Sequence, residues 1–182
     1  MAALMFALIA AFCATMGARD QVLVSDLAAK GHGAALPVGV ATGWAAAALA
    51  GYGAGYVLPA LVPDAREILG AVAAIFSGVE LLLLRPGRAP REPTHSVGAA
   101  SLVLLAHQIT DAARFLAFGI GAAYAAAIPA AMGCAAGGTM ALGLGALGAV
   151  DPRARWIAIG RRVFAVALLL VGAWMGWQAL PR

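Results

Sequence analysis

Charge is what this sequence has least of. Only 11% of its 182 residues are Asp, Glu, Lys or Arg, where a soluble domain carries about 25%. The apolar share is 63% against the usual figure of about 45–50%, and the mean hydropathy is +0.91. A soluble protein of this composition would need helices that are apolar all round. A chain this short cannot bury so much surface. Cysteine is scarce as well. Cys13 and Cys134 lie in apolar runs with no partner at metal-ligand spacing. That excludes a disulfide framework and a cysteine zinc site, and both are read as small buried hydrophobes. A basic start is missing too. Residues 1–18 lack the charged opening of a secretion signal and are read as part of a mature first helix. No nucleophile–base pair, phosphate-cradling loop or zinc pattern is present. Neither an enzyme nor a bound cofactor is expected.

What is present is a series of apolar segments. A spanning helix needs roughly 20 mostly apolar residues. Segments of that kind cover residues 2–29, 36–62, 68–84, 97–123 and 125–150, and a last one ends near 180. The stretch "RPGRAPREPTH" at 85–95 holds three Arg and three Pro and must lie outside the bilayer. "DPRAR" marks a second break, at 151–155. The expected fold is all-α: a polytopic membrane protein with six transmembrane helices, arranged as two inverted three-helix repeats. The first repeat is 1–84, a cytoplasmic Arg/Pro linker occupies 85–96, and the second repeat is 97–182.

The repeat shows in layout more than in identity. A slide of 93 residues sets Thr15 on Gln108, Gly17 on Thr110 and Gln21 on Arg114. Pro37 and Pro129 each stand near the start of a second segment. Asp64 and Arg66 precede one third segment, and Asp151 and Arg153 precede the other. Three spans per half force the halves into opposite orientations, an architecture common among transporters. Small-xxx-small pairs such as Gly39/Gly43, Gly51/Gly55, Gly133/Gly137 and Gly172/Gly176 fit a compact bundle. They leave a homo-oligomer open. Trp156, Trp174 and Trp177 stand near the ends of the last segment, as interface anchors do.

Two polar stretches interrupt the apolar runs. On a continuous helix, residues at i, i+4, i+7 and i+11 share a face. That groups Thr15, Arg19, Val22 and Asp26 in the first segment. In the fourth it groups His107, Asp111, Arg114 and Phe118, with Gln108 beside Asp111. Ionisable residues inside a span usually face the bundle interior or a cavity. Arg19, Asp20 and Asp26 admit a second reading, in which the first helix has already left the membrane. Asp111 is expected at membrane depth, with apolar sequence on both sides. His107 and Asp111, four apart, suit a proton relay or a plain hydrogen-bonded pair. Glu80 reads as an end-of-helix residue.

These stretches, "TMGARDQ" and "QITDAAR", resemble the motifs of the Gdt-type calcium/manganese:proton antiporters of the lysine-exporter superfamily. That family has six core spans in two inverted halves, each half carrying E-x-G-D-K/R-T/S. In the first stretch the family Glu falls on Thr15, the Gly on Gly17, the Asp on Ala18, the basic residue on Arg19 and the Thr on Asp20. In the second the Glu falls on Gln108, the Gly on Thr110, the Asp on Asp111, the basic residue on Ala112 and the Thr on Ala113. Gly17, Arg19 and Asp111 keep their type. The resemblance implies a secondary transporter that exchanges manganese or calcium ions for protons. It implies a site formed by Thr15, Arg19, Asp20, His107, Gln108, Asp111 and Arg114, with Asp111 as the metal or proton carboxylate. Divalent cations of this kind prefer oxygen ligands, largely carboxylates. Asp20 and Asp111 stand here against Arg19 and Arg114, a formal sum of zero. A neutral site attracts a dication poorly. Two other readings therefore stand beside the first. One is a non-transporting membrane protein with a structural salt-bridge cluster at the former site. The other is an exporter of a small organic solute, for which a zwitterion or anion suits an Arg-containing site.

The partners implied are a lipid bilayer, here a bacterial inner membrane, with the transported ions and protons. The net charge of +4 does not point to nucleic acid, because the Arg residues sit between apolar runs, where a positive-inside bias puts them. With six spans, Lys30, Arg85, Arg88, Arg91, Arg153 and Arg155 share one face, and Arg66 and Arg182 the other. The linker is therefore expected in the cytoplasm and both termini outside. Single cysteines placed in 85–95 should react with impermeant maleimides only from the cytoplasmic face of the cell membrane. A linker labelled only from outside would reverse the orientation.

Overall fold

The computed structural model describes residues 1–84 and 96–179. Residues 85–95 and 180–182 lie outside that description, and with them most of the expected linker and terminal Arg182. Eight α-helices make up the described chain: α1 (Ala2–Thr15), α2 (Arg19–Ala29), α3 (Ala35–Val57), α4 (Pro63–Leu83), α5 (Val97–Ile109), α6 (Ala112–Ala123), α7 (Ala127–Ala146) and α8 (Arg155–Gln178). A short 3-10 turn, Leu58–Ala60, extends α3. The all-α expectation holds. Pro37 and Pro129 each occupy the third position of their helices, α3 and α7. A first-turn proline loses no intrahelical hydrogen bond there. Pro63 opens α4.

Two expected segments are not continuous helices. α1 and α2 meet at 64°, and α5 and α6 at 46°. The breaks have different local causes. Gly17 has φ 71, a conformation that suits glycine. A Cβ at Gly17 would also lie 2.7 Å from Ile157 Cγ2 and 3.2 Å from the Pro152 carbonyl oxygen. In the second pair Asp111 caps α6, accepting a hydrogen bond from the Arg114 amide at 3.0 Å, as N-cap carboxylates do. The structure therefore corrects both polar stripes. Thr15 ends one helix and Arg19 begins another. His107 stands before the second break, and Asp111 and Arg114 after it. The spacing rule fails because it assumes an unbroken helical period.

Three helices are long and apolar enough to cross a membrane: Ala35–Ala60, Ala127–Ala146 and Arg155–Gln178. The two bent pairs raise the number to five if each counts as one span. α4 has 21 residues, about 31 Å at 1.5 Å per residue. It carries Asp64, Arg66 and Glu67 in its first five residues and Glu80 in its last turn. Length suits a span; charge sets it apart from the other three.

The distribution of polarity is inverted relative to a soluble protein. Gln21 and Gln108 are fully buried, and Ser77, Asp20, Arg114 and Arg161 are buried with them. Outward-facing positions include Phe6, Ile9, Leu49, Phe76, Leu102, Val163, Leu170 and Trp174. Apolar surface on this scale needs an apolar solvent. These helices are compatible with a multi-pass membrane protein. α2 is the exception in kind: Val22 and Val24 are fully enclosed, and Asp20, Gln21, Leu23 and Leu27 are buried beside them.

Helix pairings follow a mirrored pattern. α1 lies along α7, and α5 lies along α3. α2 packs on α7, and α6 packs on α3. α3 meets α7, and α4 meets α8. The pattern departs from symmetry where α6 lies along α4 and along α1, with no comparable packing of α2 on α8 or on α5. Glycine permits the closest approaches. A Cβ at Gly133 or Gly137 would run into the backbone carbonyls of Leu4 and Leu8. At Gly172 it would come within 2.9 Å of the Ala71 carbonyl oxygen. Cys134 is buried in the central apolar cluster and Cys13 is half-buried, both as free thiols.

Gly137→Ala should therefore separate α1 from α7. Overpacking typically costs about 1–3 kcal/mol, and rigid backbone on the far side places this site at the upper end. Gly143→Ala, with open space around it, should leave the melting temperature in detergent unchanged. Equal melting temperatures for the two variants would contradict the packing described.

Candidate functional site

The two helix breaks meet inside the bundle. Gln108, in the last turn before the second break, donates from Nε2 to Asp20 Oδ2 at 3.3 Å and to the Gly39 carbonyl at 3.2 Å. Asp20 stands just after the first break, its Oδ1 accepting from the Gln21 amide at 2.9 Å. The residue four positions into each break plays a similar part. Gln21 accepts from the Gly17 amide at 2.6 Å and donates to the Ala141 carbonyl on α7, also at 2.6 Å. Arg114 donates from Nη2 to the Gly43 carbonyl on α3 at 3.0 Å. Each side chain thus ties a second half-helix to the long helix of the opposite half. Ala18 and Asp111, set together by the 93-residue slide, are the N-caps of α2 and α6, both with extended backbone.

Charge pairing differs from the expected cluster. Asp111 pairs with Arg114 of its own half, Oδ2 to Nη1 at 3.1 Å. Arg114 is 4% exposed and Asp111 17%. Arg19 is exposed and joins no ion pair among the described residues. The expected cluster of Arg19 and Asp20 against Asp111 and Arg114 is thus replaced by one short-range pair. The reason is local: the Asp111 cap turns its carboxylate back over the first turn of α6, where Arg114 lies. Asp26 belongs to another place altogether. It forms a two-pronged ion pair with Arg153, at 2.9 and 2.7 Å, in the loop before α8. That contact raises the pKa of Arg153 by hydrogen bonding to its guanidinium.

A cavity of about 350 Å³ opens beside the two breaks. Its walls include Arg19, Asp20, His107, Thr110 and Asp111 from the predicted stretches. Of the predicted residues, Thr15, Gln108 and Arg114 lie behind these walls, all buried. Thr15 Oγ1 and Gln108 Oε1 have no hydrogen-bond partner among the described residues. Two further charged residues reach the cavity: Glu80 near the end of α4, and Arg161 in the second turn of α8. Arg161 Nη1 donates to the carbonyls of Ala14 and Met16 at 2.6 and 2.9 Å, closing the C-terminal end of α1. The sequence signal for Arg161 was an arginine inside the last apolar segment. Glu80 does stand in the last turn of its helix, as expected, and that turn borders the cavity. Among the described residues no group of three or more His, Cys, Asp or Glu is arranged to hold a metal ion.

No family model matches the chain, and neither a curated protein nor a solved structure matches it.

The geometry distinguishes the two arginines of the predicted site. Removing either partner of Asp111–Arg114 leaves a buried, uncompensated ion, a loss of about 3–5 kcal/mol in such settings. Asp111→Asn and Arg114→Gln should each lower the melting temperature in detergent markedly, and the double substitution should recover part of the loss. Arg19→Gln should change it little. A larger loss from Arg19→Gln than from Arg114→Gln would overturn this pairing.

Proposed function

We propose that the protein is an integral membrane secondary transporter whose cargo binds between its two broken helices. On this reading it has six spans in two inverted three-helix repeats. Each bent pair counts as one span, and α4 is the sixth, with its charges near its ends. The mirrored pairings of α1–α7 with α5–α3, and of α2–α7 with α6–α3, support the repeat. So do the paired breaks, 93 residues apart.

The observation that carries the reading is the meeting of two interrupted helices at Asp20 and Gln108 beside a polar cavity. Broken helices expose backbone groups that are tolerated at membrane depth only where protein or a water-filled space receives them. Transporters place their cargo at such interruptions, where one repeat rocks against the other.

The resemblance to calcium/manganese:proton antiporters supplies one cargo, a dication exchanged for protons, with Asp111 as the titrating or ligating group. The charges around the cavity favour another cargo. Arg19 and Arg161 stand at its wall, and Asp111 is already neutralised by Arg114. Asp20 and Glu80 also stand there, so with Arg114 the three carboxylates face three guanidinium groups and a dication gains no net attraction. The transporter reading thus favours a small polar solute over a bare metal ion.

Thr110 lines the cavity and is exposed. Thr110→Cys, in a background with Cys13 and Cys134 replaced by Ala, should react with impermeant maleimide from both faces of a proteoliposome. Reaction from one face only would leave a non-transporting membrane protein, with the Asp111–Arg114 pair in a structural role. Flux of manganese or calcium across a pH gradient is expected to be absent. Flux of either metal, abolished in Asp111→Asn, would restore the metal cargo.

A further inference from the structure

Away from the cavity, charge also stands on the apolar outer surface, on α8. Arg155 opens that helix and Arg162 follows seven residues on, so the two share a face. Both are exposed, and Trp156, Ile159, Val163 and Val166 are exposed around them. Of the three continuous helices long and apolar enough to span, α8 has the smallest buried share. Trp156 and Trp174, both exposed, are separated by about 27 Å at 1.5 Å per residue. That is close to the hydrocarbon thickness of about 30 Å, whose two edges Trp favours. Arg162 then lies about 9 Å inside the level of Trp156. An ionised side chain at that depth is costly unless its head reaches the interface or meets an opposite charge.

Among the described residues, the fold supplies no such charge. Arg155 and Arg162 join no ion pair and make no side-chain hydrogen bond. Asp26 is held by the Arg153 guanidinium, and Asp151 accepts from the Arg153 amide. α1 contains no acid. α4 runs antiparallel to α8: a Cβ at Gly70 would meet Met175, and one at Gly78 would meet Leu169. Asp64 and Glu67, at the start of α4, therefore lie towards the other end of α8. Glu80 borders the cavity, on the inner side where Arg161 stands. The sequence of 85–95 holds three Arg against one Glu, so it too is net positive.

Helical side chains lean towards the N-terminus, which carries the head of Arg162 towards Arg155. A long arginine stem lies along apolar surface while its head seeks polar company. The guanidinium fork matches a phosphate by two parallel hydrogen bonds. A zwitterionic headgroup would bring its own cation to this patch, and an anionic one would not. Below the two arginines, Val163, Val166 and Leu170 continue outwards as apolar surface on which acyl chains can lie.

We infer that Arg155 and Arg162 form a docking site for the headgroup of an anionic phospholipid, of the phosphatidylglycerol type, on the outer face of α8. The inference rests on the bilayer part of the reading above and not on transport. The neighbouring Arg161 points the other way, to the carbonyls of Ala14 and Met16. The helix that would hold the lipid is thus also the one that closes the end of α1 at the first break.

The test uses the purified full chain in a neutral detergent, with thermal shift and native mass spectrometry. Phosphatidylglycerol should raise the melting temperature and stay bound in the gas phase. Phosphatidylcholine with the same acyl chains should do neither, and inorganic phosphate should leave the melting temperature unchanged. Arg155→Gln and Arg162→Gln should each weaken phosphatidylglycerol binding about fivefold, and the double variant about thirtyfold. Without lipid these variants should melt as wild type, because neither side chain bonds to the fold. Lys30→Gln, which removes an exposed cation elsewhere, should bind as wild type. Equal binding of phosphatidylcholine, or unchanged binding in the double variant, would overturn the inference. So would a loss in Lys30→Gln as large as that in the double variant. An equal shift from inorganic phosphate would assign the patch to a soluble anion and overturn the lipid. Phosphatidylglycerol binding together with single-faced labelling of Thr110→Cys would uphold the site and defeat only the transport reading. Two-faced labelling without phosphatidylglycerol binding would do the reverse.

Discussion

A helix broken inside an apolar bundle must find partners for its freed backbone groups within the protein. Much of the polar content of this bundle meets that demand. Arg161 takes up the carbonyls of Ala14 and Met16 at the end of α1. Gln21 receives the Gly17 amide, and Asp111 receives the Arg114 amide at the start of α6. The same side chains reach outward to fixed points on α3 and α7, the Gly43 and Ala141 carbonyls. The polar residues are thus part of the frame. A site built from them is held by the groups that make the breaks possible.

This arrangement needs the long helices close at hand, and small residues supply the proximity. α1 meets α7 across Gly133 and Gly137, and α4 meets α8 across Gly78 and Gly172. Without a hydrophobic force between helices in lipid, close van der Waals packing of this kind is a principal source of association. It also keeps water from the inner polar groups, which strengthens the electrostatics among them. Asp111 and Arg114 form a pair at 3.1 Å in such surroundings. Glu80 and Arg161 stand nearby without closing on each other.

The two helix breaks are made by different residues. Gly17 bends the first segment through its left-handed backbone, and Asp111 bends the second by capping the helix that follows. At the equivalent cap of α2, Ala18 offers no side-chain oxygen. Asp20 and Gln21 turn back on the break in its place. The two stretches accordingly share little sequence identity. The layout answers to backbone geometry, and more than one residue type satisfies that geometry.

The sequence by itself determined the apolar, all-helical character of the chain, its helical segments to within several residues, and the two polar stretches at matched positions. These follow from composition and run length, which depend only on how many apolar residues stand in a row. Of the residues that the sequence grouped as one polar site, Thr15, Asp20, Gln108 and Arg114 are buried, and Arg19 is exposed. Only the tertiary structure decided what pairs with what. Arg161 is buried at the cavity and its neighbour Arg162 is exposed, a choice set by which side of α8 meets α1 and α4. Asp111 pairs with Arg114, and Arg19 stays exposed, because the breaks at 16–18 and 110–111 end the helical period on which the facing rule rests. Asp26 leaves the polar centre for Arg153 for the same reason: α2 turns by 64° away from the line of α1.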